Sequence, residues 1–175
     1  MAKGTIKPIL LAMASAVVLS GAAQAQSFDE LEWFVTIRDL NKYTKEATLN
    51  FAVPETDFVM ASAWCRSSFG LGDVAIGLQL AADLDLETVE NGQPVYFRFD
   101  PSFSQENYNA LAVIPESGEG LYGVALEVPA ADPLWQSMKM EGSMTYLVGM
   151  EDDTMTLPLT GTYHVIDEFL KVCTS

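Results

Sequence analysis

The sequence predicts a mainly β chain: an antiparallel β-sandwich of about 8–9 strands, with a short helix near 132–139 and a C-terminal helix near 162–173. Three observations lead there. Short runs rich in Val, Ile, Leu and aromatic residues recur along the chain and are divided by Gly, Pro, Asn and Asp, the punctuation of strands and turns. Successive runs are not separated by the roughly 10–15-residue helical segments that βαβ units require. Apolar residues make up 49% of the chain and charged residues 19%, which is enough to fill a core and too apolar for general disorder.

Residues 1–25 stand apart from that pattern. Lys3 and Lys7 form a basic start, 9–19 is apolar, and Ala23-Gln24-Ala25 supplies a small-x-small cleavage site, so the segment reads as a secretory signal peptide and the exported chain begins at Gln26. A bilayer span needs about 20 apolar residues, and no basic stop-transfer flank follows here. No Cys stands at the cleavage site to carry a lipid. Residues 26–175 contain no repeat, low-complexity run or linker and are read as one domain.

The strand-like runs are 31–37, 47–53, 58–65, 74–80, 95–99, 111–114, 121–128, 144–148 and 155–159. Asn91-Gly92 is the clearest turn signal, since both residues tolerate positive φ, and it predicts a hairpin joining 84–89 to 95–99. Asp132-Pro133 pairs an N-cap with proline at the first helical position, and Leu134, Trp135 and Met138 then fall on one side of a short helix. Val165, Ile166, Phe169, Leu170, Val172 and Cys173 recur at spacings of one, three and four, which predicts an amphipathic helix from about Thr162, started by Gly161-Thr162.

Loss of the signal removes two of nine basic residues and none of the 24 acidic ones, leaving a formal charge of −17 on 150 residues. Such a field repels phosphate backbones and anionic lipid, so nucleic acid and stable membrane association are poor expectations. It suits a cationic partner or Ca2+, but net charge speaks first to plain solubility outside the cytoplasm, which is the favoured reading. Cys65 and Cys173 are the only cysteines, and in an oxidising compartment a single disulfide closing a loop of about 108 residues is the simplest account. A redox or metal role has less to recommend it, with no Cys-x-x-Cys and no His near either thiol in sequence.

Candidate chemistry is sparse. His164 is the sole histidine, and a Ser-His-Asp or Cys-His mechanism would have to use it, yet Gly-x-Ser-x-Gly is absent and Ser117 and Ser143 merely neighbour glycines. Asp83, Asp85 and Glu87 alternate with leucines, which places three acids on the solvated face of an extended strand. As a calcium loop the series fails at Thr88, where glycine is needed, and at Pro94, where a bidentate Glu is needed. Glu151-Asp152-Asp153 reads as a charged hairpin turn. Trp33, Trp64, Tyr96 and Phe97 head the aromatics that either fill a sandwich core or line a ligand or partner surface; Tyr96 and Phe97, being adjacent, face opposite sides.

Leu157-Pro158-Leu159-Thr160-Gly161 followed by the Val165–Cys173 helix, with Trp64-Cys65 upstream, resembles the invasion-associated locus B family of small exported alphaproteobacterial proteins. The resemblance implies a secreted β-sandwich without an established catalytic centre, and it carries no functional residue onto this chain. The chain departs from it in having no second Cys near Cys65 and in its strong acidity. Taken together, the expectation is a periplasmic or secreted, non-catalytic binding or interaction module without a cofactor, whose partner is a protein or small molecule of the cell envelope. The alternative is a periplasmic hydrolase using carboxylates or His164, whose mark would be a concave pocket with at least two perturbed titratable groups.

Overall fold

The computed structural model describes residues 30–68, 74–116, 120–149 and 154–175. The signal-peptide segment 1–25, Ser117 and the Glu151-Asp152-Asp153 turn lie outside the described residues. The rest forms β1 (Glu32–Asn41), β2 (Thr44–Ala52), β3 (Val59–Ser68), β4 (Ala75–Ala81), β5 (Pro94–Val95), β6 (Phe97–Phe99), β7 (Ala110–Val113), β8 (Gly123–Pro129), α1 (Pro133–Met140), β9 (Ser143–Val148), β10 (Thr154–Pro158) and α2 (Thr162–Cys173). Seven strands make one antiparallel sheet in the order β1-β2-β3-β4-β8-β7-β5, and β10-β9-β6 make a second. This is the β-sandwich with a short and a C-terminal helix that the strand punctuation predicts.

Alternation decides which face of the large sheet is covered. Leu49 and Phe51 of β2, Ala61, Ala63 and Cys65 of β3, Ile76, Leu78 and Leu80 of β4, and Val124, Leu126 and Val128 of β8 are all buried. Over that face lie Phe97, Phe99, Met144 and Tyr146 of the small sheet, Leu134, Trp135 and Met138 of α1, and Ile166 and Phe169 of α2, in one apolar cluster. The layers are also pinned by directed bonds. Trp33 Nε1 donates to the Pro158 carbonyl at 2.8 Å, Tyr146 Oη to the Ala81 carbonyl at 2.5 Å, and Trp135 Nε1 to the Pro129 carbonyl at 2.9 Å.

The two helices start differently: α1 has a side-chain cap, whereas α2 follows Gly161, in the left-handed region, with no side-chain cap. Asp132 Oδ1 accepts the Leu134 amide at 2.8 Å with Pro133 in the first turn of α1. At the start of α2 the buried Thr162 hydroxyl lies 2.6 Å from the Met138 carbonyl and 2.8 Å from that of Leu159, joining the two helices. At its far end Cys173 is bonded to Cys65, with the two Cα atoms 5.7 Å apart, so α2 is stapled to β3. Among the described residues no helix is long and apolar enough to cross a membrane.

Three expectations need correction. Residues 84–89 are not a strand: Asp85 Oδ1 accepts the Glu87 amide at 3.1 Å and Asp85 Oδ2 accepts the Thr88 hydroxyl at 2.8 Å, a local turn that competes with extended pairing. Asp83, Asp85 and Glu87 therefore do not share a strand face, and Asn91-Gly92 turns the chain without closing a hairpin. Instead the turn docks on the β7 segment, with Gly92 N–H donating to the Ala112 carbonyl at 2.8 Å and Ile114 N–H to Asn91 Oδ1 at 3.0 Å. The run 95–99 is split at Tyr96 between β5 of one sheet and β6 of the other, which is why there are ten strands and not nine. At the other end of the chain order, β1 and β2 run past 37 and start before 47 to meet at the two-residue turn Lys42-Tyr43, a hairpin hidden by its polar, exposed tip.

Candidate functional site

The uncovered face of the large sheet carries the site. Trp64 of β3 lies directly opposite Gly77 of β4, which in turn lies opposite Glu127 of β8. A Cβ on Gly77 would lie within 2.9 Å of three atoms of the Trp64 ring, so the indole lies across β4 in the space that glycine leaves. The ring is 41% exposed, whereas Trp33 and Trp135 are buried at 8% and 1%. A flat indole against a backbone, with its other side accessible, is a platform on which a planar or cationic group can be laid.

Beside this ring runs a groove of about 830 Å³. Its floor is made by Ala75 of β4 and Ala125 of β8; the Trp64 ring, lying over Gly77, closes one side, and Leu111 of β7, 45% exposed, stands on the other with the 106–109 segment. That segment is fixed by Tyr108, whose hydroxyl donates to Asp132 Oδ1 at 2.8 Å and whose ring meets Phe99 edge-on at 5.4 Å. Burial pushes the Tyr108 hydroxyl pKa above its ordinary value, and the neighbouring Asp132 carboxylate adds to the same direction. Asp132 thus caps α1 and anchors one end of the groove at once.

The lining is acidic. Glu106, Glu127 and Asp132 contribute to it, and none of its residues is Lys, Arg or His. The seven basic residues beyond 25 are Arg38, Lys42, Lys45, Arg66, Arg98, Lys139 and Lys171, all placed elsewhere. Arg66 comes nearest, in an adjoining hollow that shares Trp64 and Ala75 with the groove, and there it pairs with Glu46 at 2.9 Å. Lys45 and Lys139 are paired with Asp39 and Asp167 at 3.5 and 2.6 Å.

Of the aromatic candidates, Trp64 and Tyr96 are exposed, but Trp33 and Phe97 belong to the core. Trp33 stacks on Phe51 at 5.0 Å and Phe97 packs edge-on against Phe99 at 4.9 Å. Tyr96, 52% exposed, sits at the junction of the two sheets and is not part of the groove lining. His164 is exposed in the first turn of α2, its ring edge-on to Tyr163 at 5.3 Å, and it does not line the groove. Among the described residues no three His, Cys, Asp or Glu side chains are grouped to hold a metal ion, Asp83, Asp85 and Glu87 included. Gly77, Leu111, Glu127 and Asp132 were not singled out as site residues by the sequence pattern, because only the strand order brings them together. No known family model, curated protein or solved structure matches this chain.

Proposed function

We propose that the chain is an exported, non-catalytic binding module of the periplasm or exterior, and that its ligand site is the groove beside Trp64. The observation that carries this is the exposed indole seated on Gly77 above a groove whose lining contains no Ser, Thr, Cys, Lys or His. A site of that make-up has an aromatic platform and hydrogen-bonding amides and carboxylates, but no nucleophile–base pair of the kind acyl transfer needs. Its one hydroxyl, on Tyr108, is already committed to Asp132. The disulfide between Cys65 and Cys173 supports an oxidising compartment. The likeness to the invasion-associated locus B family belongs to the same proposal, at the level of a secreted sandwich acting on a partner in the cell envelope.

Export is tested by recovering the chain outside the cytoplasm with Gln26 as its first residue. Binding is tested on the three indole N–H resonances of that product. Addition of envelope extract should move the Trp64 signal and leave those of Trp33 and Trp135, which are bonded to the Pro158 and Pro129 carbonyls. Retention of residues 1–25 on a cytoplasmic product, or a Trp64 signal that no extract fraction moves, would overturn the proposal. Turnover of an extract component that Glu127→Gln abolishes would replace it with a carboxylate hydrolase.

A further inference from the structure

Resting on that reading, we propose that the groove receives an extended, cationic segment of a partner polypeptide, with a Lys or Arg side chain laid on the Trp64 indole and its neighbours facing Glu127 and Glu106. Charge is the first reason. Of the three carboxylates lining the groove, Asp132 is held by the Tyr108 hydroxyl and the Leu134 amide, whereas Glu106 and Glu127 have no basic residue in the lining; the nearby Arg66 is paired with Glu46. Around the groove the exported chain carries a formal −17, a field that concentrates cations and repels anions at the mouth of the site.

The platform is the second reason. An indole face attracts Lys and Arg head groups, Arg most often, and Trp64 is the one tryptophan with an accessible ring. Dimensions are the third. The groove runs across β3, β4, β8 and β7, three inter-strand steps of about 4.8 Å each, or roughly 14 Å. An extended peptide covers that span in about four to five residues, at about 3.3 Å each, and turns every second side chain downward. The small side chains of Ala75 and Ala125 beside the Trp64 ring leave room for a backbone to lie close, so residues one, three and five of such a segment reach Trp64, Glu127 and the 106–109 side in turn. The recognition is therefore a Lys/Arg-x-Lys/Arg-x-Lys/Arg pattern more than a single sequence.

The probes are blocked hexapeptides alternating Gly with Lys, Arg, Ser or Glu, plus a neutral glucose hexasaccharide, titrated into the exported chain while the indole N–H and backbone amide resonances are followed. The Lys and Arg peptides should move the Trp64 signal saturably, and the Ser and Glu peptides should not. Raising NaCl from about 50 to about 300 mM should weaken binding several-fold, as screened surface charges require. Glu127→Gln, a surface change that leaves the fold intact, should weaken it about two- to fivefold. Trp64→Ala, followed on the β4 and β8 amides, should weaken it about two- to tenfold. Movement of Trp64 by the saccharide and not by the Lys or Arg peptides overturns the cationic occupant and leaves the binding module standing. Cationic binding that leaves Trp64 unmoved and is indifferent to Glu127→Gln is diffuse attraction to an acidic protein, and it overturns this inference as well.

Discussion

Replacing Phe169 by alanine measures how firmly α2 braces the sandwich. The side chain is fully buried, its ring centroid 5.9 Å from that of Trp135, and α2 packs across β1, β2 and β3. Truncations of buried Phe cost about 3–5 kcal/mol, with the upper end reached where the surroundings cannot collapse into the void. Here they cannot. Cys173, one turn beyond Phe169, is covalently held by Cys65, and Thr162 at the helix start is bonded to the Met138 and Leu159 carbonyls. A loss of about 4–5 kcal/mol follows, which for a urea slope of about 2 kcal/mol per molar lowers the midpoint by about 2 M. His164→Ala, on the exposed side of the same helix, should change stability by less than about 0.5 kcal/mol. With Cys65 and Cys173 both replaced by Ala, α2 can settle into the cavity and the Phe169→Ala cost should fall by about 1 kcal/mol, the coupling expected of neighbours. A Phe169→Ala loss below about 1 kcal/mol, or an equal loss from His164→Ala, refutes the brace.

Thiol titration of the unfolded, unreduced chain should find no free sulfhydryl, and the Cys65→Ala, Cys173→Ala pair should lose about 4–5 kcal/mol, the chain-entropy value of a 108-residue loop; two reactive thiols would contradict both. Burial holds the Tyr146 hydroxyl proton well above its ordinary pKa of 10.0. The folded state therefore keeps a proton that the unfolded state loses, so the stability this group contributes is present in full below pH 10 and should decline above it by up to about 1.4 kcal/mol per pH unit, a slope that Tyr146→Phe should reduce. A Cβ on Gly123 would strike the Leu80 carbonyl oxygen and lie 2.8 Å from the Ala82 nitrogen, both backbone. Gly123→Ala should consequently cost more than about 3 kcal/mol in thermal unfolding, whereas Gly142→Ala, with nothing within 4 Å, should be close to neutral.

Capping and periodicity made both helices legible in the sequence: Asp132-Pro133 fixes the start of α1, and the stripe Ile166, Phe169, Val172 fixes the buried side of α2. The disulfide was legible because the chain has two cysteines, which leave one intramolecular pairing. What local pattern could not show is where a strand changes sheet. Val95 and Phe97 alternate as one strand would, yet Tyr96 hands the chain from one layer to the other. Nor could it show that Asp85 captures its own backbone in place of a cross-strand partner. The groove was the least legible feature, since β8 sits between β4 and β7 and so joins residues about 50 apart in sequence. Only once Trp64 is in register with Gly77 does either residue gain its meaning.

The placement of the disulfide also bears on how the protein is made. Every strand from β4 to β10 and both helices lie between Cys65 and Cys173, so a chain delivered from its N-terminus presents the Cys65 thiol long before its partner arrives. During that interval β1, β2 and β3 are complete but α2, which covers them, is still missing. The only cysteine present then has nothing to pair with inside the molecule. A product interrupted anywhere between those two positions retains one unpaired sulfhydryl beside an apolar sheet face that α2 does not cover. Closure of the bond thereby doubles as a mark of completion: the molecule is sealed only when its last core helix is in place.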